Sequence, residues 1–535
     1  MKRFLSALLV LCTFTINAQT VEVSGNQSGT WSGDIHVVGD VYVGENETLT
    51  VEPGTSVVFD GFYVISVRGC LVAEGTADEM IVFTVADTTG YSDYETIEGA
   101  WGGIHFEDCT SQISLDYCDI SYAKTKPDRD GAALRFYNAG DVEISNCEIH
   151  HNTMRRKGGA IYAENTEFYI HDCEIYNNEG HATLGNYCWG AGFQFLKCDI
   201  EMHDMVFHDN YSPEAYGGGM NVDSCNLELR RAVFYDNMAT NAAGLGIQRC
   251  KKYTVKVSDV LAYNNTVIHY GGGIAMATSD PEINNITLVA NHCGGGGGAG
   301  MQMAFDSAPT ISNSIIFGNR ADWNEENYKV DSIVYYYGSQ IWLWGDDCRP
   351  YFYNSTVQYG LDTIYGCEHI EADHYVDMIE ANPLFVNSAN RDYRLTENSP
   401  CINTGRADTT GMFLADIDIA GGPRIFGERI DMGCYEWNNI GINEVLSNDN
   451  SIQVYPNPLS ENSICSFYLK NKSEVAMVLI SLDGKEVGRK ECGTLNAGQN
   501  SVSLDGLLNN LDRKHEMYLL IVENQGNKNF KKVVY

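Results

Sequence analysis

A short glycine motif recurs along the middle of the chain at nearly constant spacing. The third residue of each copy is Gly192, Gly219, Gly244, Gly273 and Gly300, so the steps are 27, 25, 29 and 27 residues. A fixed period in this range is typical of proteins in which one structural unit stacks on the next. The period therefore predicts a stacked-repeat architecture.

The residues after each glycine motif indicate β-strands. Each copy continues with an apolar-any-apolar run such as Ile274-Ala275-Met276. Alternation with a period of two places successive side chains on opposite faces of a strand. The runs are short, rich in β-branched and aromatic residues, and separated by turn residues. One repeat is long enough for three strands and three corners, which predicts an all-β, right-handed parallel β-helix with one coil per repeat.

An asparagine closes each repeat. These residues are Asn152, Asn178, Asn210, Asn237, Asn265, Asn291 and Asn319. The corner that runs from the asparagine into the glycine motif resembles that of the pectate-lyase-like parallel β-helix repeat family. The resemblance implies a β-helix of roughly ten or more coils.

The N-terminal residues predict an exported protein, and the rest of the chain divides into a predicted β-helix, a linker and a C-terminal segment. Residues 1–18 have the pattern of a signal peptide, with Lys2 and Arg3 before an apolar run that is too short to span a bilayer. No later segment has the pattern of a transmembrane helix. Residues 19–437 are predicted to form the β-helix with N-terminal coils and a C-terminal cap, and residues 438–450 a linker. The expected location is secreted or attached to the outer cell surface.

Residues 451–535 have the pattern of a small C-terminal β-sandwich. Three features stand out, namely the opening Tyr455-Pro456-Asn457-Pro458, the turn Asp483-Gly484-Lys485 and the end Lys531-Lys532-Val533-Val534-Tyr535. Together they resemble the C-terminal sorting domain of the type IX secretion system. The resemblance implies export across an outer membrane with that machinery as a partner.

The charge of the chain limits its partners. The sequence holds 35 basic and 71 acidic residues, a net charge of −36. Such a surface repels nucleic acid and anionic membranes. It also repels acidic polysaccharides except where a cation or a local basic patch intervenes.

The strand register predicts that polar and aromatic side chains gather along one edge of the β-helix. The middle residues of the strands that follow the glycine motifs are His105, Arg135, Tyr162, Gln194, Asn221, Gly246, Ala275 and Gln302. These side chains are expected to point outward, on coils about 4.8 Å apart. The long corners before the strands add Lys124, Lys126, Arg129, Arg155, Arg156, Lys157, His181, Tyr187, Trp189, Tyr211 and Tyr216. This edge is interpreted as a groove for an extended extracellular glycan, and the alternative is a solvated face with decorated loops.

Catalysis on the same edge is a second hypothesis. A polysaccharide lyase needs a cation such as Arg135 and a base such as Tyr162 or His105. A glycoside hydrolase needs two carboxylates, for which Glu164 is available with Glu107 or Asp223. A third hypothesis is a structural adhesin or spacer without a small ligand.

Metal, cofactor and cysteine patterns are sparse. No organic cofactor is predicted, and calcium is considered at Asp416, Asp418 and Asp431, with Glu436 as a further carboxylate. The pairs His150-His151 and His203-any4-His208 lack a complete ligand set. A disulfide is expected between Cys401 and Cys434, because the export route is oxidising. Cys118, Cys147 and Cys173 recur at coil spacing and are expected to form a ladder of free thiols.

Overall fold

The structure is a computed structural model of the whole chain. In the N-terminal part it describes residues 20–126, 129–181, 188–322, 327–330, 333–336 and 338–438. In the C-terminal part it describes residues 452–455, 463–469, 471–481, 486–505, 507, 517–524 and 527–534. The predicted signal peptide, nearly all of the predicted linker and the 456–458 and 483–485 motifs lie outside these residues. The chain divides into two compact units, Met1–Trp437 and Asn438–Tyr535.

The first unit is a right-handed parallel β-helix, which confirms the predicted fold class. Each regular coil contributes a strand to three faces, and neighbouring coils pair in parallel. The first face carries the strands that follow the glycine motifs. These are Ile65–Val67, Ile104–Glu107, Leu134–Tyr137, Ile161–Glu164, Phe193–Leu196, Met220–Asp223, Leu245–Gln248, Ile274–Ala277, Met301–Ala304 and Ile341–Trp344.

The second and third faces follow in each coil. The second face contains Gly29–Trp31, Thr48–Val51, Cys70–Glu74, Ile113–Asp116, Asp141–Ser145, Glu167–His171, Glu282–Asn284, Thr310–Ser312, Tyr351–Tyr353 and Tyr375–Val376. The third face contains Ser56–Phe59, Ile81–Val85, Cys118–Ser121, Glu148–His150, Glu174–Tyr176, Thr287–Val289, Ile315–Phe317 and Thr356–Val357. Longer strands bend from one face to the next, namely Val21–Asn26, Asp34–Val43, Asp199–His208, Asn226–Tyr235 and Val255–Tyr263.

A smaller sheet fills the corner between the third face and the next first face. This corner sheet contains Thr153–Met154, Glu179–Gly180, Cys188–Trp189, Tyr211–Tyr216, Met238–Asn241, Thr266–Tyr270, His292–Cys293 and Arg320–Ala321. Two antiparallel pairs stand apart, Asn327–Val330 with Ile333–Tyr336 and Phe385–Asn387 with Asp392–Leu395. The described residues contain no α-helix, only the 3₁₀ turns Leu361–Thr363, Cys367–His369, Ala372–His374 and Ser388–Asn390.

The predicted closing asparagines form a ladder inside the corner. All seven are buried, and each one after Asn152 accepts the backbone N–H and the side-chain amide of the asparagine one coil earlier, as Asn237 does from Asn210 at 3.2 and 2.9 Å. Asn152, the first, accepts the backbone N–H of Ala123 at 2.9 Å. Each amide also donates to a carbonyl of the preceding coil, such as Asn237 to Phe207 at 2.9 Å. The ladder ends on Gln340, which accepts from Asn319. A buried polar group needs such partners, so the ladder fixes the corner and the length of the coil.

The glycine motifs allow the chain to fold back over its own strand. Gly217 has φ +86°, and a Cβ on it would lie 2.7 Å from the Cβ of Asn221. At Ala242 the arrangement is reversed, because this alanine takes φ 56° and the strand residue beneath it is Gly246. Only one of the two residues, the corner residue or the strand residue beneath it, can therefore carry a side chain. This explains the recurring glycine.

Residues 384–437, called the flank segment, lie along the outside of the helix. Tyr393 and Cys434 pack on Leu261 and Val289 of the third face. This part of the predicted C-terminal cap covers side chains that lie outside the main core cluster. The last coil is covered by the 3₁₀ turns, where Ile364 and Ile370 join the main hydrophobic core.

The second unit is an antiparallel β-sandwich. One sheet contains Ile452–Tyr455, Ile464–Leu469 and Gly498–Ser503, and the other Glu486–Leu495, Ser473–Ser481, Met517–Asn524 and Asn527–Val534. Side chains from both sheets share one buried cluster that includes Phe467, Met477 and Leu520. The predicted all-β class of this unit is confirmed.

Candidate functional site

The first face brings the predicted column of side chains together. His105, Arg135, Tyr162, Gln194 and Asn221 are direct partners on successive strands. The predicted register is therefore the observed one. Adjacent members stand one coil apart, which is about 4.8 Å.

Most of this column is covered rather than open to solvent. His105, Tyr162, Gln194 and Asn221 are only 5, 4, 3 and 0% exposed. The expectation of side chains open to solvent is wrong at these positions. At Tyr162, Gln194 and Asn221 the glycine corners lie over the strand. The amide of Asn221 donates to Gln194 Oε1 at 2.8 Å, so these two side chains are held by each other.

Arg135 and the charged residues Glu107, Glu164 and Lys197 on neighbouring coils keep access to solvent. The Arg135 guanidinium donates to Glu107 Oε1 at 2.9 Å, and its side chain is 23% exposed. The hydroxyl of Tyr162 donates to Glu164 Oε2 at 3.2 Å. Lys197 lies 3.5 Å from the other oxygen of Glu164. Cations and carboxylates thus alternate across neighbouring coils.

The two candidate bases have unfavourable electrostatics for proton abstraction. Burial, with the nearby charges of Arg135 and Arg129, lowers the pKa of His105 to about 4. Burial and the carboxylates of Glu164 and Asp130 raise the pKa of Tyr162 well above its usual value. His105 is therefore a neutral, weak base at neutral pH, and Tyr162 stays protonated.

Two of the corner cations serve a structural purpose. Residues 87–99 form a strap across the corner sheet, and the Lys124 ammonium donates to the carbonyls of Gly90, Asp93 and Glu98 at 3.4, 3.1 and 3.0 Å. Arg155 is buried and pairs with Glu95 at 2.9 Å. Arg155 was predicted to contact a glycan, and the structure instead commits its guanidinium to the strap.

The remaining corner residues border the open part of the edge. Arg156 and Lys157 lie 3.6 and 3.8 Å from the carboxylate of Asp130. The half-buried rings of Trp189 and Tyr216 stack with centroids 5.6 Å apart. His181 stacks on Tyr94 of the strap and pairs with Glu179 at 2.8 Å. Tyr187 lies outside the described residues.

These residues define a polar platform on one edge of the helix. The platform consists of Glu107, Asp130, Arg135, Arg156, Lys157, Glu164, Trp189, Lys197 and Tyr216. It mixes four cations with three carboxylates in a chain whose net charge is −36. The paired charges hold the side chains in place and offer donors and acceptors side by side.

The residues considered for calcium serve as backbone acceptors. Asp418 accepts from the amides of Ala420, Gly422 and Glu436 at 3.0, 2.8 and 2.8 Å. Asp431 accepts from Asn403 and Trp437 at 2.6 Å each, while Asp416 is exposed. In the described part of the chain, the groups of side chains close enough to share an ion include none of the three.

The predicted disulfide is not formed in the structure. Cys401 and Cys434 are free, buried thiols in two different hydrophobic clusters of the flank segment. Burial raises the pKa of each thiol to about 12. The Cys118, Cys147 and Cys173 thiols are also free and stack, and the backbone nitrogens of Cys118 and Cys147 each lie 3.4 Å from the sulfur of the next cysteine.

One surface feature was missed by the sequence reasoning. The second face carries a groove of about 430 Å³ whose lining includes Asp141, Glu143, Glu167, Tyr169, Asp199, Glu201 and Glu228. The sequence signal was present as acidic residues at alternate positions of the second-face strands.

The family comparison agrees with the fold. A family model described as "Right handed beta helix region" matches residues 88–259. No curated protein is significantly similar to this chain. None of the described helical turns is long and apolar enough to cross a membrane.

Proposed function

We propose that this protein binds an extended extracellular glycan along the polar platform. The observation that carries the proposal is the row of cation–carboxylate pairs on adjacent coils, bordered by the stacked rings of Trp189 and Tyr216. A repeating polymer suits a surface that itself repeats at the coil spacing. Sugar rings can pack on the aromatic faces while hydroxyls meet fixed donors and acceptors.

Binding is supported better than catalysis at this site. A lyase needs an accessible base, and His105 and Tyr162 are both buried and have pKa values shifted away from that role. One arrangement supports a hydrolase as the second candidate. The backbones of Glu107 and Glu164 flank that of Tyr137 in register, two coils or roughly 9.6 Å apart along the face. From this spacing the flexible side chains can reach the separation of about 6.5–9.5 Å found between the carboxyl groups of inverting glycosidases.

We also propose export through the type IX secretion system. The support is the N-terminal signal-peptide pattern, the Tyr455-Pro456-Asn457-Pro458 opening and the compact β-sandwich that follows. The protein is then secreted or attached to the outer cell surface. Deleting residues 451–535 should leave it inside a type IX-competent cell, whereas unchanged export of the deletion variant would contradict this proposal.

A glycan array tests the binding proposal. The array should include neutral and uronate-bearing polysaccharides, with and without calcium. We expect a signal that is lost in a Lys157→Ala/Trp189→Ala variant and retained in Tyr253→Ala, which changes an exposed tyrosine elsewhere. Products released from the bound glycan would favour the hydrolase. The absence of any signal would contradict both and leave the adhesin or spacer hypothesis.

A further inference from the structure

The corner between the second and third faces has one backbone form in successive coils. The second residue of this corner has a left-handed backbone conformation, with φ between 50 and 55°. These residues are Asn146, Asp172, Asp204, Arg231, Asp259, Asn285 and Asn313. In the later coils the flank segment occupies this corner. Asp259 is buried against Arg424, and Asn285 donates to the carbonyl of Asp431 at 2.9 Å. The Asp172 and Asp204 side chains instead remain 52 and 35% exposed.

Two His-Asp dipeptides meet in register at this open part of the corner. His171 pairs directly with His203 on the next strand, and the rings stack with centroids 5.0 Å apart. In each dipeptide the imidazole Nδ1 lies 2.9 Å from its own aspartate Oδ2. The ligand atoms of Asp172, His203 and Asp204 all lie within 4.8 Å of one another.

We propose that Asp172, His203 and Asp204 form a binding site for Zn²⁺. One imidazole nitrogen and two carboxylates are a donor set that zinc accepts, with the fourth tetrahedral position left for water. Parallel pairing holds the two dipeptides on rigid neighbouring strands, so little ordering is required when the ion binds. The strongly acidic chain also favours a divalent cation over an anion at this surface.

Neighbouring side chains orient the proposed ligands. The Tyr169 hydroxyl lies 3.0 Å from Nε2 of His203. When Nδ1 of His203 binds the ion, Nε2 carries the proton and donates to Tyr169, which fixes the tautomer. Arg231 holds the carboxylate of Asp204 through two hydrogen bonds, one of them 2.8 Å from Nε to Oδ1. Its positive charge also opposes the ion and therefore limits the affinity.

His208 provides a matched comparison within the same strand. It also has two carboxylate partners, with Asp209 at 2.7 Å from Nδ1 and Glu174 at 2.9 Å from Nε2. These carboxylates lie at opposite ends of the ring, so they cannot converge on one ion. Because His208 has the same kinds of neighbours as His203 but cannot bind an ion together with them, His208→Ala is the control.

Calorimetric titration of ZnCl₂ into the chelator-treated full chain tests the proposal. We expect one stoichiometric site whose Kd rises at least about tenfold in Asp172→Asn and in His203→Ala, but not in His208→Ala. Asp172 is mostly exposed, so its amide variant should keep the wild-type unfolding midpoint. The absence of a stoichiometric site, or equal binding by wild type and both variants, would overturn the proposal.

Cobalt substitution separates this site from the cysteines. Co²⁺ held by imidazole and carboxylate gives visible bands without the near-ultraviolet band of a cobalt–thiolate bond. We expect this thiolate-free spectrum in the wild type and its loss in His203→Ala. A thiolate band that persists in His203→Ala would place the ion on cysteine and refute the assignment.

Discussion

Two halves of the first face share a backbone and differ in what they present. The decorated half runs from Ile104–Glu107 to Met220–Asp223 and carries charged and aromatic side chains. The plain half runs from Leu245–Gln248 to Met301–Ala304, where the column continues as Gly246, Ala275 and Gln302. Both halves use the same parallel register and the same asparagine ladder. The scaffold is therefore independent of its surface, and function has to be argued from the side chains that only one half carries.

The two halves are also braced differently. The strap lies across the corner sheet of the decorated half and is held by Lys124 and Arg155. The flank segment lies along the third face of the plain half and is held by Arg424 between Asp259 and Glu436. The decorated half consequently leaves open the polar platform and the corner that carries His171-Asp172 and His203-Asp204. The corresponding corner of the plain half is buried.

The asparagine ladder should stabilise both halves equally. Asn178→Ala in the decorated half and Asn265→Ala in the plain half each leave buried amide and carbonyl groups without partners. We expect each change to lower the free energy of unfolding by about 3 kcal/mol. Chemical denaturation of both variants, with the exposed Gln112→Ala as control, measures this. A much smaller loss for Asn265→Ala would show that the two halves do not share one scaffold.

Glycan affinity should depend on the decorated half alone. Trp189→Ala removes a stacked ring from the platform and should weaken binding of the best array glycan by about 2 kcal/mol, roughly 30-fold in Kd. His269→Ala changes an exposed residue at the corresponding corner of the plain half and should leave Kd unchanged. Calorimetric titration compares them, and equal losses would remove the functional difference between the halves.

Substitutions at the glycine corner before the first face should change protein stability in opposite directions in the two halves. Gly217→Ala adds a Cβ at φ +86° that lies 2.7 Å from the Cβ of Asn221. It should destabilise the protein by about 2 kcal/mol. Ala242→Gly relieves an alanine at φ 56° and should stabilise by up to about 1 kcal/mol. Thermal unfolding of the pair decides this, and destabilisation by both would contradict the strain argument.

The flank segment should make the plain half sensitive to pH. Burial and the nearby Glu436 carboxylate raise the pKa of Asp431 to about 7. A raised carboxyl pKa means that the folded state holds a proton which the unfolded state has released. Its stabilisation is complete below about pH 4 and is lost as the pH rises through 7, with a slope of at most about 1.4 kcal/mol per pH unit.

Denaturation between pH 4 and 8 checks that contribution. The difference in stability between wild type and Asp431→Asn should change with pH in the stated direction. Asp416→Asn, which changes an exposed aspartate of the same segment, is the control variant. A constant difference for Asp431→Asn would contradict the raised pKa.

The repeat could be predicted from sequence because its causes are local. The glycine corners, the closing asparagines and the two-residue alternation each occupy fixed positions within one coil, so the register from His105 to Asn221 was correct. Exposure was mispredicted because the chain folds back over the strand at those same glycines. Lys124 and Arg155 pair with the strap, and Asp259 pairs with Arg424 of the flank segment. Both segments lie outside the repeat, so no period reveals these contacts. The neighbours of His203 are His171 and Asp172 on the adjacent coil, and spacing along the chain does not reveal them.

Hydrogen exchange with mass spectrometry tests the glycan proposal most directly. The full chain should be compared with and without the tightest-binding glycan of the array. The account predicts slower exchange in residues 129–164 and 188–223 and no change in residues 245–304, since only the decorated half carries the platform. Protection confined to residues 245–304 or to the acidic groove of the second face, or no protection at all, would contradict it.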